Sequence, residues 1–249
     1  MKKPIEQFSL ENETFIKSLL KKSSKLYLTK SNRIRKKISS KDSYQKDILE
    51  VCLRLHSTIN TLSFSRLFLE ENKIFLNDAS LLLINKSDYF RYHIECFFIR
   101  VTTYKDLIFK LINKTYDFQI NDNIGLEKNI KKEIKAKNII ELTELLTGLD
   151  IIMNKIKPIR NELAHGNYLE DLDLTLLQSM ETTKRNNSKE YEDSVKSFLF
   201  NSSVSMYGIE LMLVTYLKLV YKKLLKKRRE IEKQKLRLTQ VLQNAGFSR

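Results

Sequence analysis

Glycine and proline are nearly missing from this chain, at five and two in 249 residues. All-β and α/β folds use far more turn residues than that, so the deficit predicts a mostly helical protein. Tryptophan is absent, and there are only three histidines and two cysteines. No close ligand spacing occurs among those five, which argues against a structural zinc site. Cys52 and Cys96 both fall in apolar helical patterns and read as reduced core thiols, the usage expected of a cytoplasmic chain rather than a disulfide framework. No apolar run is seen to approach the ~18 residues of a membrane span, so no membrane partner is expected. The opening MKKPIEQFSLENETF turns acidic too soon for a signal peptide.

What the chain has in excess is positive charge. Forty-five Lys and Arg against thirty Asp and Glu leave +15. The excess sits in two blocks. Residues 17–46 carry eleven basic side chains and one acid, and residues 218–237 carry ten against two. Such blocks suit polyanions, RNA among them, although a lysine-rich tail also serves solubility. Within the second block Lys226, Lys227, Arg228 and Arg229 are the expected RNA contacts.

Periodicity predicts the helices. Residues 11–28 form an amphipathic stretch and 29–43 a lysine-rich connector. A helix is expected over 44–69 and a stronger one over 88–117, where Phe90, Ile94, Phe97, Val101, Tyr104, Ile108, Leu111 and Ile112 keep one stripe. Glu95, Thr102 and Asp106 fall opposite it. The segment 75–86 is short and apolar, with no clear state. His56 reads as structural or exposed, and His93, near the apolar stripe, as a satisfied core histidine. A helix over 126–147 should stop near Gly148, with Asp150 capping the next and Pro158 kinking it or restarting it. A short helix is expected at 173–182, then a long one from Tyr191 to about Leu242. The expected organisation is a basic N-terminal helix and connector (1–43), a helical domain (44–225) and a basic helical extension (226–249).

One segment has the residue types of a reactive site: Ile156-Lys-Pro-Ile-Arg160-Asn161-Glu-Leu-Ala-His165-Gly166. Its helix has an apolar stripe of Ile152, Ile156, Ile159 and Leu163. On ideal geometry Arg160 lies roughly 70° from the centre of that stripe, and Asn161 and His165 lie about 150–170° away. A core histidine would sit on the stripe. An exposed histidine at a helix C-terminus is the plain alternative, since the helix dipole favours it there.

The pattern R-N-x-x-x-H, in a late helix of an all-α chain, resembles the signature of the HEPN superfamily. The preceding long helix, DYFRYHIECFFIRVTTYKDLIFKLINKTYDF, resembles the one that packs against the motif helix in bacterial members. The resemblance covers roughly residues 45–220. It implies an all-α HEPN-like bundle with a long basic C-terminal helix. It also implies a metal-independent endoribonuclease needing no cofactor, in which Arg160, Asn161 and His165 are catalytic. Members commonly pair, two motifs facing across a cleft, so a homodimer through the motif helix is expected, or pairing with another HEPN chain. A role as toxin or anti-phage effector, with an antitoxin or defence-complex partner, follows by the same analogy. Tyr168 stands three positions after His165, where one variant of the family has a tyrosine two after. Glu95 or Asp106 is expected to support Arg160, because a guanidinium at a helix interface needs an anionic partner. The competing readings are a non-catalytic helical RNA-binding or protein-interaction module, and an adaptor using the basic tail at a membrane surface or the cytoskeleton.

Overall fold

Among the described residues, three helices are followed by a residue with positive φ that is not glycine. The structure, a computed structural model, describes residues 14–20, 40–70, 85–122, 124–164, 171–186 and 188–244. The described chain is helical: α1 (14–20), α2 (Ser40–Glu70), α3 (Lys86–Tyr116), α4 (Leu126–Ala136), α5 (Ile140–Ala164), α6 (Leu172–Thr182) and α7 (Lys189–Asn244). No strand occurs among the described residues. The all-α expectation holds, and so does the long C-terminal helix.

Asp117 (φ 54°), Asn138 (φ 49°) and Lys184 (φ 59°) follow α3, α4 and α6. At each, a backbone N–H reaches back five residues to a carbonyl: Phe118 to Asn113, Ile139 to Ile134, and Arg185 to Met180. The residue before closes a three-residue bond, as in Asn138 to Lys135. This is the Schellman ending usually given to glycine, carried here by Asp, Asn and Lys.

These endings correct one expectation. The break falls at Asn138, and α5 runs on through Gly148, Asp150 and Pro158. Gly148 is an interior helical position, where an added Cβ would stand 3.6 Å from the Tyr216 ring. The Tyr216 hydroxyl donates to the Leu145 carbonyl at 2.7 Å, which lays the ring along this part of α5. The expected connector 29–43 is shorter at its C-terminal end, because α2 begins at Ser40. Its remainder, and the segment 75–86 up to residue 84, lie outside the described residues.

The residues divide into two units. The first takes the chain up to Ser57, Lys105–Gly148 and Val214 onward. Its core joins Phe15, Ile16 and Leu19 of α1 to Ile48, Cys52, Ile108, Ile112, Leu217 and Leu224. The Phe15 and Tyr221 rings stack at 5.1 Å, and the Tyr44 hydroxyl donates to the Thr115 carbonyl at 2.7 Å. Asn113 is buried and holds the turn after α3 by exchanging two hydrogen bonds with the Ile120 backbone.

The second unit takes Thr58–Tyr104 and Leu149–Leu213. Its apolar core includes Leu62, Phe90, Phe97, Ile156, Leu177 and Phe198. Its buried Glu210 and Arg66 are paired with each other. The Glu210 carboxylate accepts from Ser63 and from Arg66 Nε at 3.0 Å, while Glu70 takes Arg66 Nη1 at 2.8 Å. Burial would lower the Arg66 pKa, but these hydrogen bonds and charges outweigh it and raise it. The Asp171 side chain caps α6 by accepting from the Asp173 and Leu174 N–H groups.

One stretch of α7 is long and apolar enough to cross a membrane by length and composition, contrary to the expectation from sequence. Of that stretch, 44% is buried within the chain, where it forms core in both units.

Candidate functional site

The turn carrying the motif is built by the periodicity of α5. Ile156 is buried and Ile152 and Ile159 are half-buried, so this side faces the core of the second unit. Asn161 lies on the other side and is exposed. Arg160 precedes it in the last full turn of the helix, which ends at Ala164. The Arg160 side chain, His165, Gly166 and Tyr168 lie outside the described residues.

Glu95 is half-buried on α3 in the same unit as residues 160 and 161. Asp106 is exposed on the part of α3 that belongs to the first unit, at a cleft it lines with Lys110 and Lys131. The expected support of Arg160 by either carboxylate turns on a guanidinium outside the described residues.

The basic block of α7 divides by helical face. Lys226 and Arg229 are exposed. Lys227 is half-buried, 3.4 Å from Glu230 and 5.7 Å from the Tyr116 ring centroid. Arg228 is different, and its assignment as an RNA contact is corrected. It is 2% exposed. Its guanidinium donates to the Phe15 carbonyl and to the Ser18 hydroxyl, each at 2.6 Å, and its Nε lies 3.2 Å from the buried Glu232 carboxylate. Burial lowers the Arg228 pKa, and Glu232 opposes the shift. A guanidinium so committed has no face left for phosphate. The signal was available: Arg228 stands four after Leu224 and seven after Tyr221, on the buried line of its helix. Of the N-terminal block, Lys17 is exposed and Lys41 and Lys46 are half-buried, and most of the rest lies outside the described residues.

The other titratable candidates have structural surroundings. His93 lies among the Phe68, Tyr89 and Tyr92 rings, with centroids 4.4 to 5.3 Å away. Burial lowers its pKa, and that of His56, below the ordinary 6.5. Both cysteines are free. Cys52 is fully buried, whereas Cys96 is only half-buried, so the core-thiol expectation fits the first alone. No group of three His, Cys, Asp or Glu that could hold a metal ion occurs among the described residues.

A second set of residues is not apparent from the sequence. Tyr116, Phe118 and Lys137 line a cleft with Lys222, Lys223, Lys226 and Lys227. The first three come from the end of α3 and the turn after α4, far in sequence from the basic block. Only the lysine spacing on α7 was visible beforehand.

Against known families, the model described as HEPN_Cthe2314-like HEPN matches residues 15–232. No curated protein and no solved structure matches the chain.

Proposed function

The chain belongs to the HEPN superfamily, and from that membership we propose that it is a metal-independent endoribonuclease. The observation that carries the proposal is the family match across 15–232, which spans the segment holding Arg160, Asn161 and His165. The exposure of Asn161 on the face away from the core supports it.

The residue types suit attack of a ribose 2′-hydroxyl on the adjacent phosphodiester. The hydroxyl loses its proton to a base as the new P–O bond forms, and the departing 5′ oxygen takes a proton from an acid. An imidazole titrating near pH 6.5 can serve in either capacity. The Arg160 guanidinium offers a planar fork of donors to the doubly charged phosphorane, a geometry lysine lacks. Asn161 can hold a phosphate oxygen or fix the histidine tautomer. One imidazole does not readily act as both acid and base in one turnover. The proposal therefore includes a homodimer, or a pair with another HEPN chain, in which each member supplies a His165-type group. Lys226 and Arg229 would add sequence-independent attraction to the RNA backbone.

The proposed setting is the cytoplasm, as a toxin or anti-phage effector held by an antitoxin or defence-complex partner. The deciding experiment incubates wild type and His165→Ala with RNA in EDTA. Cleavage by wild type alone, leaving 2′,3′-cyclic phosphate ends, is the expected result. RNA binding without cleavage by either protein would make the chain a non-catalytic RNA-binding module.

A further inference from the structure

We propose that the lysine-lined cleft of the first unit is a binding site for one or two nucleotides of single-stranded RNA, formed by none of the motif residues. The inference rests on RNA being this protein's ligand and adds where, and in what form, a second part of the strand is held.

The cleft measures about 710 Å3 and lies among the end of α3, the turn between α4 and α5, and α7. That is within the ~300–1,000 Å3 range of small-ligand sites. Its charge is one-sided: Lys137, Lys222, Lys223, Lys226 and Lys227 face two carboxylates, Glu141 and Glu230. Lys227 is paired with Glu230 and Lys137 with Glu133. Lys222, Lys223 and Lys226 are exposed and have no carboxylate partner among the described residues. Lysines one helical turn apart repel each other, so the row 222, 223, 226 is relieved by an external anion. Four residues of helix advance about 6 Å, so the row addresses anions spread along a line rather than a single one.

The remainder of the lining is not what a bare phosphate site needs. Tyr116 and Phe118 are half-buried rings tilted 32° with centroids 5.3 Å apart, beside Ile139, Leu219 and Ile231. Lys227 Nζ lies 5.7 Å from the Tyr116 centroid and Lys137 Nζ lies 5.0 Å from that of Phe118. The rings line the same cleft as Lys222, Lys223 and Lys226, so a phosphate drawn to those lysines brings its base to the aromatic surface. Aromatic side chains beside a basic groove are the means by which proteins hold single strands, since every base has a π-face. A duplex keeps those faces stacked, and an acidic peptide has none to offer.

The test uses full-length His165→Ala protein, which should leave RNA intact, and a fluorescein-labelled octauridylate read by anisotropy at two salt concentrations. Adding Lys222→Ala with Lys226→Ala should weaken binding about tenfold and flatten the log–log salt slope by about 1.4, at ~0.7 per phosphate contact. Phe118→Leu should weaken binding about five- to tenfold with the salt slope unchanged, as loss of stacking predicts. Lys196→Ala, an exposed lysine of the other unit, should bind as the parent does. Circular dichroism melts establish that each variant folds. Unchanged affinity in both cleft variants overturns the inference, and so does competition by polyglutamate as strong as that by unlabelled octauridylate. If wild type cuts RNA while the cleft variants bind normally, the cleft fails and the nuclease stands. If wild type does not cut but the cleft variants lose binding, the nuclease fails and the cleft stands.

Discussion

Arg228 and Phe15, 213 positions apart, meet twice: the guanidinium donates to the Phe15 carbonyl at 2.6 Å and lies 4.7 Å from the centre of its ring. The contact ties α1 to α7 within the first unit, with Glu232 and Ser18 closing around the charge. Arg228→Ala strands a buried carboxylate and a buried carbonyl, and should cost about 3 kcal/mol of stability. Arg228→Lys should recover only part, because an ammonium cannot span Phe15, Ser18 and Glu232 at once. Thermal melts of both variants check the order. Neutralising exposed Arg229 should leave the melting temperature unchanged.

Glu210 is the corresponding anchor of the second unit, 3% exposed and accepting from Ser63 and Arg66. Glu210→Ala leaves Arg66 with Glu70 alone, and should also destabilise by about 3 kcal/mol. Glu210→Gln keeps the shape and an acceptor and should cost less. Urea unfolding curves of the two variants against wild type give the comparison.

Stability should fall on both sides of neutral pH. Burial pushes the Cys52 thiol from 9.0 up to about 12, and burial with Glu141 and Glu230 pushes Tyr116 from 10.0 to about 12. Above pH 9 the unfolded chain releases these protons while the folded chain keeps them, so stability declines as pH rises through 9–12. On the acid side, burial holds His56 and His93 below 6.5, so the unfolded chain binds protons first and stability declines as pH drops below 6.5. Melting temperatures across the range should trace a plateau between these limits. His93→Phe, which keeps a ring among its aromatic neighbours, should soften the acid-side decline.

Cys52 should resist alkylation near pH 8, since the thiolate is the reacting species and this thiol is both buried and held protonated. Cys96, half-buried, should label sooner. Timed iodoacetamide labelling with peptide mass mapping distinguishes them, and denaturant should abolish the difference.

Lys184 sits at φ 59°, where a side chain costs roughly 1–2 kcal/mol that glycine avoids, against up to about 1 kcal/mol of extra chain entropy. Lys184→Gly should therefore raise stability slightly, and Lys184→Val should lower it. Melts of the pair decide.

These residues also show what could be read beforehand. The α3 stripe from Phe90 to Ile112 is buried throughout, because sustained periodicity reports the side facing the core directly. The end of α4 is not legible in the sequence because the αL position falls to Asn138, while Gly148, the conspicuous signal, stands inside a helix. Composition groups Arg228 with its basic neighbours, although its helical line joins it to Leu224 and Ile231. The cleft was the least legible feature, because its rings and lysines come from three separated stretches that only the fold brings together.

Helices α2, α3, α5 and α7 each contribute residues to both units, with the divisions at 57/58, 104/105, 148/149 and 213/214. Neither half can thus be excised without severing helices in mid-course and baring apolar stripes. Gene fusion, duplication or exchange can move this protein only as one heritable piece, and a tag, split-reporter junction or circular permutation belongs outside those four helices.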